Sequence, residues 1–283
     1  MMRILATIFA GLFGLAFGSF LNVCLSRWPE GESIVQPASH CRNCSHTLSW
    51  WENIPFFSWL ALRGRCRNCR AWIGWRYPLV EAAVGLLWAT VGWRTNIAFF
   101  PAVYAAGLML FVWLMVALAI LDAEHLWLPD FLTIPGILSG LLWWILGGVL
   151  VGHALKMPWE TKDLKEIGLR VLGILLAAGL ILLIRWTYQR IRKQEGLGLG
   201  DAKLMALLAA WLGLPLTMVA FVIAVLLGSL TALVLLVRPA LQRDGETWAL
   251  SKLPLGTFLC IGGIVSSLCG QPILSAYLRW AGF

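Results

Sequence analysis

The sequence has 283 residues, of which 60% are hydrophobic and 13% charged, with a mean hydropathy of +0.80. A soluble domain carries about twice that charged fraction and only about half its residues apolar, so a soluble protein is excluded. The formal net charge of +8 fits the Lys and Arg that membrane proteins gather in cytoplasmic loops, and no nucleic-acid partner is expected.

Apolar runs predict spans over 4–26, 79–93, 99–121, 131–151, 167–185, 202–214, 216–237 and 255–276. The fold class is therefore an all-α polytopic membrane protein with about eight transmembrane helices. No small-residue cleavage site follows the first run, which reads as a retained helix rather than a signal peptide. The second and sixth runs are short, as tilted, re-entrant or extended segments are. Alternation places 27–78, 122–130, 186–201 and 238–254 on one side of the membrane. That side holds fifteen of the 22 Lys and Arg and the other holds seven. The excess of positive charge marks the first side as cytoplasmic.

Loop 27–78 is the one sizeable polar piece, and it is too small for a comfortable core without a staple. Two near-identical knuckles, Cys41-Arg-Asn-Cys44 and Cys66-Arg-Asn-Cys69, have 21 residues between them. Each offers two thiolates on one tight turn, and together they complete a tetrahedral four-cysteine zinc site. A closed shell of four thiolates makes that metal structural. Two disulfides are the competing reading, disfavoured in a reducing cytoplasm. His40 and His46 flank the first knuckle and are read as polar surface residues. No internal repeat is evident, and Cys24, Cys260 and Cys269 read as small buried hydrophobes.

Two acids interrupt apolar sequence on the predicted cytoplasmic face. Asp201 follows the glycines of Gly196-Leu-Gly-Leu-Gly200, and Asp122 ends the run before Ala-Glu-His-Leu-Trp-Leu-Pro-Asp130. An ionisable group at the mouth of a membrane segment marks function by default. Helix capping explains Asp130, which opens an apolar run. It does not explain Asp122, at the unfavourable C-terminal end of its run. A close pair of carboxyls shares one proton, so one member can activate water while the other polarises a peptide carbonyl. The glycines beside Asp201 would let an extended substrate backbone approach. A nucleotide-binding turn is set aside because no strand precedes the glycines. Lys203 reads as a snorkelling side chain or a carboxylate partner.

With these motifs in order, the chain resembles the bacterial type IV prepilin peptidases, also called leader peptidase/N-methyltransferases. Gly18-Ser-Phe-Leu-Asn-Val23 with Arg27 and Pro29 is similar to their opening motif. Pro37-Ala-Ser-His-Cys41-Arg-Asn-Cys44, Leu48-Ser-Trp-Trp-Glu-Asn-Ile-Pro55 and Leu62-Arg-Gly-Arg-Cys66-Arg-Asn-Cys69 look like their zinc loop, running into Arg76-Tyr-Pro-Leu-Val-Glu81. Leu121-Asp122 with Leu128-Pro-Asp130, then Gly198-Leu-Gly-Asp201-Ala-Lys-Leu, look like the two aspartate motifs, and Leu253-Pro-Leu-Gly-Thr-Phe258 like the last. Glu52 stands where the family often has Asp, and Leu255 where it often has Phe.

The resemblance implies catalytic Asp122 and Asp201 and cleavage of prepilins or pseudopilins on the cytoplasmic side of the bacterial inner membrane. It also implies methylation of the new N-terminal amine with S-adenosylmethionine, and a partner pilus or type II secretion machinery. The methyltransferase-associated part is expected over 1–93 and the peptidase domain over 94–283. Glu81 is the one candidate acid for the methyl-donor region, with a buried structural glutamate as the alternative. Other readings are a non-proteolytic scaffold of a pilus or secretion apparatus, and a proton-relay transporter, which would spread its acids across the membrane.

Overall fold

The computed structural model describes residues 2–94, 99–154, 161–193, 198–237 and 253–282. The predicted spans correspond to the helices α1 (Met2–Arg27), α3 (Arg76–Arg94), α4 (Phe99–His125), α5 (Asp130–Ala154), α6 (Thr161–Arg192), α7 (Leu199–Leu212), α8 (Leu214–Val237) and α9 (Leu255–Trp280), and only 202–214 overruns its helix, through Gly213 into the first residue of α8. The short α2 (Phe57–Ala61) and a 3₁₀ turn at Trp50–Asn53 lie in the polar loop. No strand occurs among the described residues beyond two isolated bridges, His40 to Thr47 and Arg65 to Trp72.

Six helices, all but α2, α3 and α7, are long and apolar enough to cross a membrane, which makes this a multi-pass membrane protein. The two shortfalls have separate causes. Helix α3 carries Arg76, Glu81 and Arg94 in its 19 residues. Helix α7 has 14 residues, about 21 Å of rise against a hydrocarbon core of about 30 Å. Tertiary packing protects α7 instead: apart from Lys203, residues 201–211 are all buried. A helix apolar all round belongs at the centre of a bundle, and α5, α6, α8 and α9 surround it.

Close packing divides the chain into two compact units, 1–117 and 118–283, with the division inside α4. In the first, α1 and α3 approach along a seam of small residues. A Cβ on Gly14 would fall 2.8 Å from Gly85 Cα, and one on Gly18 would fall 2.7 Å from Glu81 Cα. Seams of this kind let membrane helices make the dispersion contacts that lipid cannot supply. Leu5, Phe9 and Phe13 are left on the exposed, lipid-compatible face of α1.

In the second unit, Trp211 Nε1 on α7 donates to the Gly136 carbonyl on α5 at 2.9 Å, and its ring stacks on Trp143. Gly140 leaves room for that ring. Between α7 and α8 the chain turns at Gly213 with φ +79°, a conformation that suits glycine. The Ser266 hydroxyl of α9 donates to the Leu216 carbonyl of α8 at 2.7 Å.

Candidate active site and metal centre

Asp122 lies in the last turn of α4 and Asp201 in the first turn of α7, both buried. They are 79 positions apart in the chain, and packing around Leu128 brings them together. Gly200 approaches Leu128 so closely that a Cβ would fall 3.0 Å from Leu128 Cβ. A Cβ on Gly256, in the first turn of α9, would fall 3.0 Å from Leu128 Cδ1 and 2.8 Å from Asp122 Cγ. Leu128 is therefore the residue against which the first turns of both α7 and α9 pack.

Each acid is held by one oxygen. Asp122 Oδ2 accepts the Thr257 N–H at 2.6 Å and the Thr257 hydroxyl at 3.1 Å. The Thr257 hydroxyl also lies 3.0 Å from the Ala119 carbonyl. Asp201 Oδ2 accepts the Gly198 N–H at 3.1 Å. Among the described residues, these hydrogen bonds leave Oδ1 of each carboxylate free for a water or a substrate carbonyl.

Two sequence expectations change. Asp122 is a cap after all: its carboxylate satisfies a free N–H in the first turn of α9, 135 positions away. Capping judged along one helix misses a neighbour's N-terminus. Gly200 does not open the site to a substrate backbone, because Leu128 fills the space beside it; its absent side chain serves helix packing. Gly196 lies outside the described residues. Asp130 opens α5 as expected, and Lys203 pairs with it at 2.5 Å, an exposed contact worth little in stability.

In sequence, Thr257 has no role beyond its place in the last motif. Its signal was a hydroxyl residue in a first turn, N-terminal to an apolar run, where side chains and backbone N–H groups are free to bind a carboxylate.

The polar loop brings its four knuckle cysteines together. The sulfurs of Cys41, Cys44, Cys66 and Cys69 all lie within 4.8 Å of one another. Cys41 Sγ is 3.8 Å from Cys69 Sγ, and Cys44 Sγ is 4.0 Å from Cys66 Sγ. A tetrahedron with Zn–S bonds of about 2.3 Å sets its sulfurs about 3.8 Å apart, so the tetrad fits that metal. A disulfide needs about 2.05 Å. Asn43 Nδ2 donates to Cys69 and Asn68 Nδ2 to Cys44, each knuckle binding the other's thiol. The Ala71 N–H and the Asn43 amide bring the Cys69 thiol down to about 6, whereas burial pushes Cys41 up to about 11. Binding of a metal would drive off the remaining protons.

A repeat that the sequence reading missed underlies this site. Segments 39–48 and 64–73 share the same backbone pattern at an offset of 25 positions. Cys41 N–H to His46 matches Cys66 N–H to Ala71, and Leu48 N–H to Ser39 matches Ile73 N–H to Gly64. Ser45 and Arg70 both take positive φ, 56° and 57°. Only the knuckles themselves betray the repeat in sequence, because backbone bonds tolerate different side chains. His46 is outside the cysteine group; its Nε2 lies 3.5 Å from Glu52 Oε2. The Ser49 N–H, with His46 beside it, holds the Glu52 carboxyl below its usual range. Glu81 is buried and accepts the Phe56 N–H at 2.7 Å.

This geometry can be set beside known proteins. A family model described as the bacterial peptidase A24 N-terminal domain matches residues 12–95, and one described as the type IV leader peptidase family matches 109–233. The prepilin leader peptidase/N-methyltransferase of Pseudomonas aeruginosa is 35% identical, over 96% of this chain and 93% of its own length. The chain belongs to the type IV leader peptidase family. The Aeromonas hydrophila protein of the same description is 32% identical over 94% of this chain and 92% of its own. An Escherichia coli relative, described as a type 4 prepilin-like proteins leader peptide-processing enzyme, is 33% identical over 94% and 93%. No solved structure shows significant similarity. The first family match contains the cysteine tetrad and the second contains both acids. Gly256 and Thr257 lie beyond the leader peptidase match, yet they touch Asp122.

Proposed function

We propose that this leader peptidase cuts prepilins or pseudopilins at the cytoplasmic face of the bacterial inner membrane, using Asp122 and Asp201 as an aspartyl pair. The observation that carries the reading is the convergence of these two buried acids on Leu128, each anchored by Oδ2. Two close carboxyls cannot both ionise cheaply, so one stays protonated. The anionic member takes a proton from water as the water attacks the scissile carbonyl. The protonated member polarises that carbonyl and later gives its proton to the leaving amine. Anchoring through backbone N–H groups fixes both acids before substrate arrives, as electrostatic preorganisation requires.

The four cysteines hold a structural zinc ion that staples the polar loop. With all four positions taken by sulfur, the ion supplies folding energy and no catalysis. The new N-terminal amine then receives a methyl group from S-adenosylmethionine, and the product joins a pilus or a type II secretion machinery.

Asp122→Asn and Asp201→Asn, assayed as inserted protein on a prepilin, should each lose cleavage by roughly 10³-fold. Full cleavage by either variant removes that aspartate from the mechanism.

A further inference from the structure

The second half of the polar loop and the start of α3 carry apolar surface that neither the cysteine tetrad nor the α1–α3 seam uses. Phe57 and Leu60 of α2, with Trp72, Trp75 and Leu79, are each more than half exposed. Trp59 joins two of these rings into one cluster. Its ring centroid lies 5.8 Å from that of Trp72 and 4.4 Å from that of Trp75, and the latter two lie 5.9 Å apart. A Cβ on Gly64 would fall 2.8 Å from both Trp59 and Trp72, so the glycine makes room for the cluster. Trp59 Nε1 donates to the Ile73 carbonyl at 3.0 Å, and the Ile73 N–H donates to the Gly64 carbonyl that closes the second knuckle repeat. The cluster and the knuckle are thus one piece. Aromatic rings with a polar edge suit the boundary between lipid headgroups and acyl chains.

The backbone sets the level of this surface. The Phe56 N–H donates to the Glu81 carboxylate at 2.7 Å, which ties the start of α2 to α3. Glu81 in turn faces α1 at Gly18, where a Cβ would fall 2.7 Å from Glu81 Cα. Gly18 comes nine positions before the end of α1 at Arg27, about 13 Å along the helix. A glutamate side chain and one hydrogen bond together span less than that. Helix α2 therefore begins alongside a membrane helix, not beyond its end.

The charge around the patch has one sign. Residues 41–76 contain six arginines and a single acid, the buried Glu52. Arg63, Arg65, Arg67 and Arg70 are exposed and make no ion pair among the described residues; Arg67 lies over the Trp51 ring. A zinc ion held by four thiolates would add about two negative charges, which leaves the segment positive.

We infer that α2 and the tryptophan cluster form an interfacial anchor that lays the polar loop on the anionic lipid surface of the adjoining leaflet. Phe57, Leu60 and the exposed rings enter the headgroup boundary, and the arginines meet lipid phosphates. Buried apolar area and attraction to anionic lipid are the two terms that hold an amphipathic element in a membrane surface. A patch of this kind can also receive a protein. The level of Phe56 along α1 and the unbalanced arginines favour lipid.

The test places photoreactive benzoylphenylalanine in place of Phe57, Leu60 or, as a lipid-facing standard, the exposed Leu86 of α3, in the full chain in lipid nanodiscs. Circular dichroism controls for folding. Mass spectrometry should find lipid adducts at 57 and 60 as at 86, and those at 57 and 60 should rise severalfold when phosphatidylglycerol replaces part of the phosphatidylcholine. Arg63→Gln/Arg65→Gln, at two exposed positions, should abolish that rise. Adducts at 86 with none at 57 and 60 overturn the inference, as do cross-links from 57 and 60 to protein in place of lipid. Adducts at 57 and 60 that ignore phosphatidylglycerol overturn the role given to the arginines.

Discussion

The cysteine tetrad and the aspartate pair are both built from two matching halves, but they are assembled by opposite means. The tetrad comes from segments 39–48 and 64–73, each closed by its own backbone hydrogen bonds, in a loop that leaves Trp50, Trp72 and Val35 exposed. It has little core, and a metal held by the four sulfurs would supply what burial does not. The aspartates come from α4 and α7, inside a helix bundle where Leu204, Leu207 and Leu208 are fully buried and α9 supplies the hydrogen bonds that fix Asp122. One site depends on ligand bonds, the other on the absence of side chains at Gly200 and Gly256. They should fail in response to different injuries.

The largest expected effect is on the first site. Cys41→Ser/Cys66→Ser removes two of four ligands, so zinc should be lost and methylation abolished, while prepilin cleavage continues. Metal analysis and a methyl-transfer assay check this, and full zinc content in the double variant breaks the four-cysteine assignment. Next comes Gly256→Ala, whose new Cβ would meet Asp122 Cγ at 2.8 Å. Displacing a catalytic group by about an ångström costs on the order of 10²-fold in rate. Zinc content should be unaffected. Gly200→Ala should do less, because it meets a side chain, Leu128, that can shift. Smallest is Thr257→Val, which keeps the backbone N–H to Asp122 but removes the hydroxyl bond. A fall of about tenfold in kcat with little change in KM is expected for a positioning residue.

Local features were legible in the sequence and tertiary ones were not. Knuckle spacing alone located the tetrad, because two turns of CxxC determine where their thiolates point. The long apolar runs became helices, since a 20-residue apolar stretch has no other stable form in lipid, and the two short runs fall in α3 and α7. The sequence also drew attention to Asp122 and Asp201 as acids out of place. It could not show that Asp122 caps α9, that Gly200 packs on Leu128, or that Lys203 meets Asp130. Those contacts join positions 72 to 135 apart.

Mass spectrometry of one co-expressed prepilin tests the division of labour most directly, comparing the wild-type chain with Asp201→Asn and with Cys41→Ser/Cys66→Ser. The account predicts leader loss plus one methyl group for wild type, an intact unmethylated prepilin for Asp201→Asn, and leader loss without the methyl for the cysteine variant. A leader removed in full by Asp201→Asn would contradict it.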